Sequence, residues 1–319
     1  MSRLRRHWFL IAYAGVLALA WLLPDAGRSG GFFHLEAARF WCIAGIFLCA
    51  GLVLPASRLG LAMRDGDCYL RIQGVGFVIA PLLGLAVAWI AGLYGLSPAA
   101  QTGVIILACL PTTIGSCVAH TGLAGGNQSL ALVNSVLGNL AGIVLTPLLV
   151  TALTHRHGTT PVATVVAQLA LLSLVPVICG QLLRWRWSAL LDRIQRNISV
   201  ISGCLLLLIA LGIFSDLAHH GLTSDALAIF TAAVCLHAAL ATCAWLSGRG
   251  RQRADRIAIT ITGAQKTAAL GVPLIGLLFV GDPHVAVIAA PIVLYHAVQQ
   301  ATGAGAAVWF NRPAPTRTG

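Results

Sequence analysis

The stretch "TITGAQKTAALGVP", residues 260–273, holds Lys266, the only lysine in a chain of 319 residues whose other basic residues are all arginines. A lone amine can serve as a nucleophile, a base, a counter-ion to an anion, or a fixed cation among oxygens. No carboxylate lies in the apolar run around it. Arg256 is ten residues away and Gly281 fifteen, which is about 15 Å and about 22 Å at the rise of a helix. The side chain cannot reach either end, and a charge held deep in an apolar segment costs at least about 2.5–3.5 kcal/mol on insertion scales. Two states satisfy this position. Either the amine is neutral, or its ammonium is held by carbonyls and by Asn, Gln and Thr oxygens, an arrangement that an anionic solute could complete.

A second polar interruption lies in "LACLPTTIGSCVAHTGLAGGN". Pro111 removes a backbone donor and clashes with the preceding turn, and Thr112, Thr113, Gly115, Ser116 and Cys117 follow it. Around Lys266, Gly263, Gly271 and Pro273 flank Gln265 and Thr267. Both stretches read as broken helices, tolerated at membrane depth only where protein or a wet cavity surrounds them. Two further segments supply polar groups at helical spacing: "LVNSVLGNLAG" with Asn134, Ser135 and Asn139, and "VLYHAVQQATG" with Tyr295, His296, Gln299 and Gln300. Each of these suits an interhelical hydrogen bond as well as a solute contact. His120 and His237 read as satisfied packing residues. The nine cysteines show no metal-ligand spacing and read as small packing groups. Ser116 and Lys266 could form a nucleophile–base pair, but neither lies in a hydrolase motif, so the chain is not expected to be an enzyme.

The elements that must position these residues are membrane helices. The chain is 58% hydrophobic and 9% charged, far below the charge of a soluble domain. Its net +11 sits in short clusters between apolar runs, which excludes a nucleic-acid partner in favour of a lipid bilayer. A helix needs roughly 20 apolar residues to cross hydrocarbon, and such runs occur at 8–24, 37–55, 75–95, 102–122, 129–152, 162–183, 198–215, 226–247, 257–279 and 285–308. With ten spans, Arg3, Arg5, Arg6, Arg58, Arg64, Arg71, Arg184, Arg186, Arg193, Arg196, Arg249, Arg251, Arg253, Arg256, Arg312 and Arg317 share one side. Only Arg28, Arg39 and Arg156 fall on the other. Both termini are then cytoplasmic. Five spans per half gives two repeats of opposite orientation, 1–153 and 161–309, as in many secondary transporters. An offset of 155 residues sets Pro111 opposite Lys266 and Thr112 opposite Thr267. No Gly-Lys pair exists in the sequence, so an ATP-binding Walker loop is absent.

The segments "LPTTIGSCVAHTGLAGGNQSLALVNSVLGNLAGIVLTPLL", "GAQKTAALGVPLI" and "APIVLYHAVQQ" resemble the bile acid:sodium symporter superfamily. The resemblance spans essentially the whole chain and points to the divergent branch of the orphan seventh member of solute carrier family ten and its bacterial relatives. It implies an all-α polytopic membrane protein in which spans 4 and 9 are broken and cross. Spans 1, 2, 6 and 7 would form a panel domain, and spans 3–5 and 8–10 a core domain, with alternating access as the core moves against the panel. The interruptions and their partner segments together make the candidate substrate and ion site: Pro111, Thr112, Thr113, Ser116, Cys117, Asn134, Ser135, Asn139, Gln265, Lys266, Thr267, Tyr295, His296 and Gln299. Sodium in such proteins would lie near Ser116, Cys117, Ser135, Ile261 and Gln265. The sodium-coupled members carry a glutamate where this chain has Thr260 or Ile261, and an asparagine where it has Lys266. The expectation is therefore a secondary transporter of a small organic anion, its partner a small amphipathic or anionic solute, with no cofactor beyond a coupling Na+ or H+, and with the Lys266 ammonium standing in the cation's place. A sodium-coupled symporter of bile-acid-like solutes and a non-transporting membrane regulator are the competing expectations. The Arg-rich composition suggests a bacterial inner membrane.

Overall fold

A computed structural model describes residues 8–53, 66–154, 161–219 and 225–310. Arg3, Arg5, Arg6, Arg58, Arg64, Arg156, Arg312 and Arg317 lie outside the described residues. The described residues contain helices and no strand. We number the helices α1 (Trp8–Leu22), α2 (Leu35–Val53), α3 (Gly66–Leu93), α4 (Pro98–Cys109), α5 (Gly115–Leu123), α6 (Gln128–Thr154), α7 (Val162–His219), α8 (Asp225–Ser247), α9 (Arg253–Ala264), α10 (Ala268–Leu278) and α11 (Val285–Phe310). Six helical stretches among them are long and apolar enough to cross a membrane, and α1, α2 and α4 are shorter apolar helices. Side chains such as Leu22, Trp41, Trp89, Leu93, Leu171 and Trp185 are exposed on the exterior, as expected where hydrocarbon rather than water is the solvent.

Both expected interruptions occur. α4 starts at Pro98, where a missing N–H costs nothing, with the Ser97 hydroxyl accepting from the Ala100 amide. It stops at Cys109 because Pro111 cannot continue it, and Leu110 is already extended with ψ 149°. The second break is narrower. α9 ends at Ala264, Gln265 is extended with ψ 146°, and α10 begins at Ala268. Leu110 and Gln265 are thus extended C-caps 155 residues apart. The expected cause of this second break is corrected: Gly263 lies within α9, and Gly271 and Pro273 lie within α10. The interruption consists of Gln265, Lys266 and Thr267 alone.

Two other expectations change. The third span starts at Gly66 rather than near 75, and it contains a π turn at Val75–Ile79. The sixth and seventh spans are joined, because residues 184–197 are helical as well. At 58 residues, α7 would be about 87 Å long if straight, far more than a hydrocarbon core of about 30 Å. Its continuity is interrupted only at Trp187, whose φ and ψ are −127° and 37°. Next to that kink, buried Arg184 donates to the Leu52 carbonyl at 2.7 Å and to Asp192 at 2.5 Å. α7 packs chiefly along α2 and also against α1, while α4 lies between α3 and α11 and α9 lies against α8.

Candidate functional site

Stopping a helix in an apolar interior strands its last carbonyls, each of which then needs a new donor. Five consecutive carbonyls at the end of α4 find one. Ala108 and Leu110 accept from the Lys266 Nζ at 2.9 and 2.7 Å. Cys109 accepts from the Thr146 hydroxyl at 3.0 Å, Pro111 from the Thr267 amide at 2.9 Å, and Thr112 from the Asn139 Nδ2 at 2.6 Å. The two broken helices are therefore joined backbone to backbone where Thr267 meets Pro111.

The third Lys266 contact explains the π turn. In α3 the Ala80 amide reaches back five residues to Val75 and so passes over the Gly76 carbonyl. The next residue in line is Pro81, which has no N–H to give. The Gly76 carbonyl is left free, and Lys266 Nζ donates to it at 2.9 Å. Three carbonyls thus meet the three donors of an ammonium, two of them at the negative end of the α4 dipole. Lys266 is 2% exposed and belongs to three elements at once. Its partners are backbone carbonyls alone, with none of the Asn, Gln or Thr side-chain oxygens expected from the sequence among them.

Its own backbone is held by Gln299, whose Oε1 accepts from the Lys266 amide at 2.7 Å and whose Nε2 donates to the Lys266 carbonyl at 3.0 Å. Tyr295 donates to the Ala264 carbonyl at 2.5 Å and meets His237 Nδ1 at 3.1 Å. Since the phenol proton is committed to Ala264, His237 must carry its proton on Nδ1 and accept on Nε2, where Thr302 lies at 2.7 Å,. His296 lies 2.8 Å from Gln299 Nε2 and 3.0 Å from the Gln300 amide. Gln299 is fixed by Lys266, so His296 accepts on Nδ1 and donates from Nε2, and Gln300 must present its oxygen there.

A second cluster gathers Ser116, Gln265, His120, Cys117 and Ser135. Ser116 Oγ donates to Gln265 Oε1 at 2.9 Å, and Gln265 Nε2 meets His120 Nδ1 at 2.8 Å. Cys117 Sγ lies 2.8 Å from Ser135 Oγ, which itself donates to the Ala131 carbonyl at 2.6 Å. Asn134 donates to the Leu130 carbonyl at 3.0 Å and accepts from Gln73 on its own carbonyl at 3.0 Å. Thr113 is half-buried and makes no hydrogen bond to the other site residues among those described. The ammonium of Lys266 does not share these partners. Gln265 and Lys266 are consecutive residues off the end of α9 with extended backbone at Gln265, and side chains on extended backbone alternate in direction. The lysine therefore cannot stand among Ser116, Ser135 and Gln265 as the sequence suggested. It caps α4 instead. Gln73, Gly76, Thr146 and His120 join the site without having been expected there, and only Pro81, five residues beyond Gly76, gave a sign of any of them, the free Gly76 carbonyl.

A small, half-open apolar cavity of about 30 Å³ lies beside this cluster, lined by Phe47 and Ala50 of α2, by Val136, Asn139, Leu140 and Ile143 of α6, by Ser173, Leu174 and Val177 of α7, and by Ile114. Residues 7–312 match the SBF-like CPA transporter family. The chain belongs to that family. Its members are transporters, so this is a multi-pass membrane transport protein and not an enzyme. Among its relatives is "Sodium/bile acid cotransporter 7" of Danio rerio, 28% identical over 308 residues, or 94% of this chain and 92% of the relative. The Xenopus laevis "Sodium/bile acid cotransporter 7-A" is also 28% identical, over 94% of this chain and 90% of the relative. An uncharacterized protein of Pseudomonas aeruginosa is 31% identical over 300 residues, covering 91% of this chain and 89% of its own length. The sequence-level resemblance is to the same superfamily.

Proposed function

We propose that the chain is a secondary transporter that works by alternating access, built from ten spans in two inverted five-helix repeats. A panel of spans 1, 2, 6 and 7 would move against a core of spans 3–5 and 8–10. Both termini would be cytoplasmic in a bacterial inner membrane. The observation that carries this reading is the pair of broken helices joined at Thr267 and Pro111. Its support includes the extended C-caps at Leu110 and Gln265 and the packing of α7 along α1 and α2. The orientation draws support from Arg71 and Arg251, both assigned to the cytoplasmic side, which meet at Asp67.

Coupling to sodium is not part of the proposal. The residues at the sodium positions of the family offer no carboxylate, and Ser116 with Gln265, and Cys117 with Ser135, are hydrogen-bonded to each other. Proton coupling or solute exchange takes its place. The first experiment compares thermal stability in sodium against potassium or choline at fixed ionic strength, since a ligand of the native state raises stability by mass action. Indifference to sodium in the wild type supports the reading, while a clear rise replaces it with a sodium-coupled symporter. Alternating access is tested separately. A single cysteine at Ala50, with the native cysteines replaced, should react with membrane-impermeant thiol reagents from both faces of a vesicle. Reaction from one face only, in every condition, refutes it.

A further inference from the structure

α7 turns back on itself at Trp187, and residues on both sides of that turn meet the same end of α2. Before it, Gln181 donates to the Gly51 carbonyl at 2.6 Å and Arg184 to the Leu52 carbonyl at 2.7 Å. After it, Leu191, Ile194 and Ile198 pack on Cys49, Leu52 and Val53. Later residues then retreat along α2, Leu205 meeting Gly45 and Gly212 meeting Leu35. Three apolar positions at i, i+3 and i+7 decide which side of this segment faces α2. Helical spacing places Arg193 and Arg196 on the opposite side, and both are exposed.

The charge on that side is unbalanced. Asp192 is the only carboxylate between residues 161 and 215, and buried Arg184 takes it at 2.5 Å. Arg186, Arg193 and Arg196 form no ion pair among the described residues. Arg193 and Arg196 stand one turn apart, a like-charge spacing that weakens a helix unless an anion lies between. Around them the surface is apolar and aromatic. Trp185 is 85% exposed and Trp187 50%, and indole rings settle at the level of lipid headgroups. Leu190 and Ile201 are exposed on one face of the second half of α7, beside the arginines,.

We propose that the turn of α7 binds an anionic phospholipid of the bilayer, with Arg186, Arg193 and Arg196 on its phosphate and its acyl chains along Leu190 and Ile201. Guanidinium forks match phosphate oxygens. Because the segment is already docked on α2, little ordering remains to be lost on binding. A zwitterionic lipid brings its own cation beside the phosphate and cancels much of the attraction. A soluble acidic segment would meet the arginines but not the apolar face below them.

The test titrates the purified full chain in a nonionic detergent with dioleoylphosphatidylglycerol or dioleoylphosphatidylcholine, which share acyl chains and differ in charge. Bound lipid is counted by native mass spectrometry. The anionic lipid should bind at least about tenfold more tightly, and Arg193→Gln and Arg196→Gln should each weaken it about fivefold. Arg249→Gln, at an exposed arginine beyond α8, should leave it unchanged. Equal binding of the two lipids overturns the proposal. So does a loss in Arg249→Gln as large as in the α7 variants, since the attraction is then diffuse. Displacement of the anionic lipid by an equal concentration of inorganic phosphate replaces the lipid with a free anion. Displacement by polyglutamate at an equal concentration replaces it with an acidic protein segment. Either of these also overturns it.

Discussion

Replacing Lys266 by methionine keeps most of the unbranched side chain and removes its three donors. The carbonyls of Gly76, Ala108 and Leu110 are then buried without partners, at about 1–3 kcal/mol each. Against this, the substitution removes a buried ammonium whose insertion costs at least about 2.5–3.5 kcal/mol. The difference, taken at the middle of both ranges, is a destabilisation of about 3 kcal/mol. For a chain of this size that lowers the unfolding midpoint by roughly 5–10 °C. The assay is thermal unfolding of the purified protein in detergent, followed by tryptophan fluorescence. The same reasoning predicts a compensating partner. Pro81→Ala restores the N–H that Gly76 lacks in its own helix, so Lys266→Met should cost about 1 kcal/mol less in a Pro81→Ala background. A midpoint for Lys266→Met equal to or above the wild type would refute the account of Lys266 as a cap. Strict additivity of the two substitutions would refute the account of the π turn.

Tyr295→Phe leaves the Ala264 carbonyl and the His237 Nδ1–H unpaired and should cost about 1–3 kcal/mol, read as a lower unfolding midpoint with no change in sodium response. Gln299→Leu frees both the amide and the carbonyl of Lys266. It should cost about 2–4 kcal/mol and abolish solute flux in vesicles, whereas Gln299→Asn should recover little because the shorter side chain cannot span both groups. Gly103→Ala would put a Cβ at 2.2 Å from the Ile288 carbonyl oxygen of α11, a backbone atom that cannot rotate away. It should destabilise by about 1–3 kcal/mol, while Gly15→Ala, where the added carbon meets nothing within 4 Å, should be neutral or mildly stabilising.

The helices were legible in the sequence because apolar runs in lipid have one low-energy form. The break at Pro111 was legible for the same kind of reason: a missing donor is a property of one residue. The break at Lys266 was placed correctly but credited to Gly263, Gly271 and Pro273, all of which sit in regular helix. What interrupts the chain there is tertiary, because Gln299 and the Pro111 carbonyl replace the helical bonds of residues 266 and 267. No local signal carries that. The link across residues 184–197 was missed because its charges read as a loop, although Arg184 finds Asp192 and the Leu52 carbonyl in a helical setting. The free carbonyl at Gly76 needed two facts at once, the five-residue reach of Ala80 and the silence of Pro81, and only the second is written in the sequence.

The five carbonyls at the end of α4 take their donors from α6, from Thr267 at the start of α10 and from Lys266, itself clamped by Gln299. Directional bonds from so many helices make this crossing a weld, so the breaks cannot also serve as joints. Any compliance that the proposed alternating access needs would lie elsewhere, and the apolar seam where Phe47, Leu174 and Val177 face Ile114, Val136 and Ile143 suits it, since dispersion contacts can slide past one another without a bond being broken. One polar tether crosses from α1, the Tyr13 hydroxyl on the Val293 carbonyl at 2.6 Å, with the Tyr13 ring 6.3 Å from that of His296. If access alternates as proposed, a slippery seam with this tether would turn about Tyr13, and the radius of the swing would be set by how far the cavity lies from it.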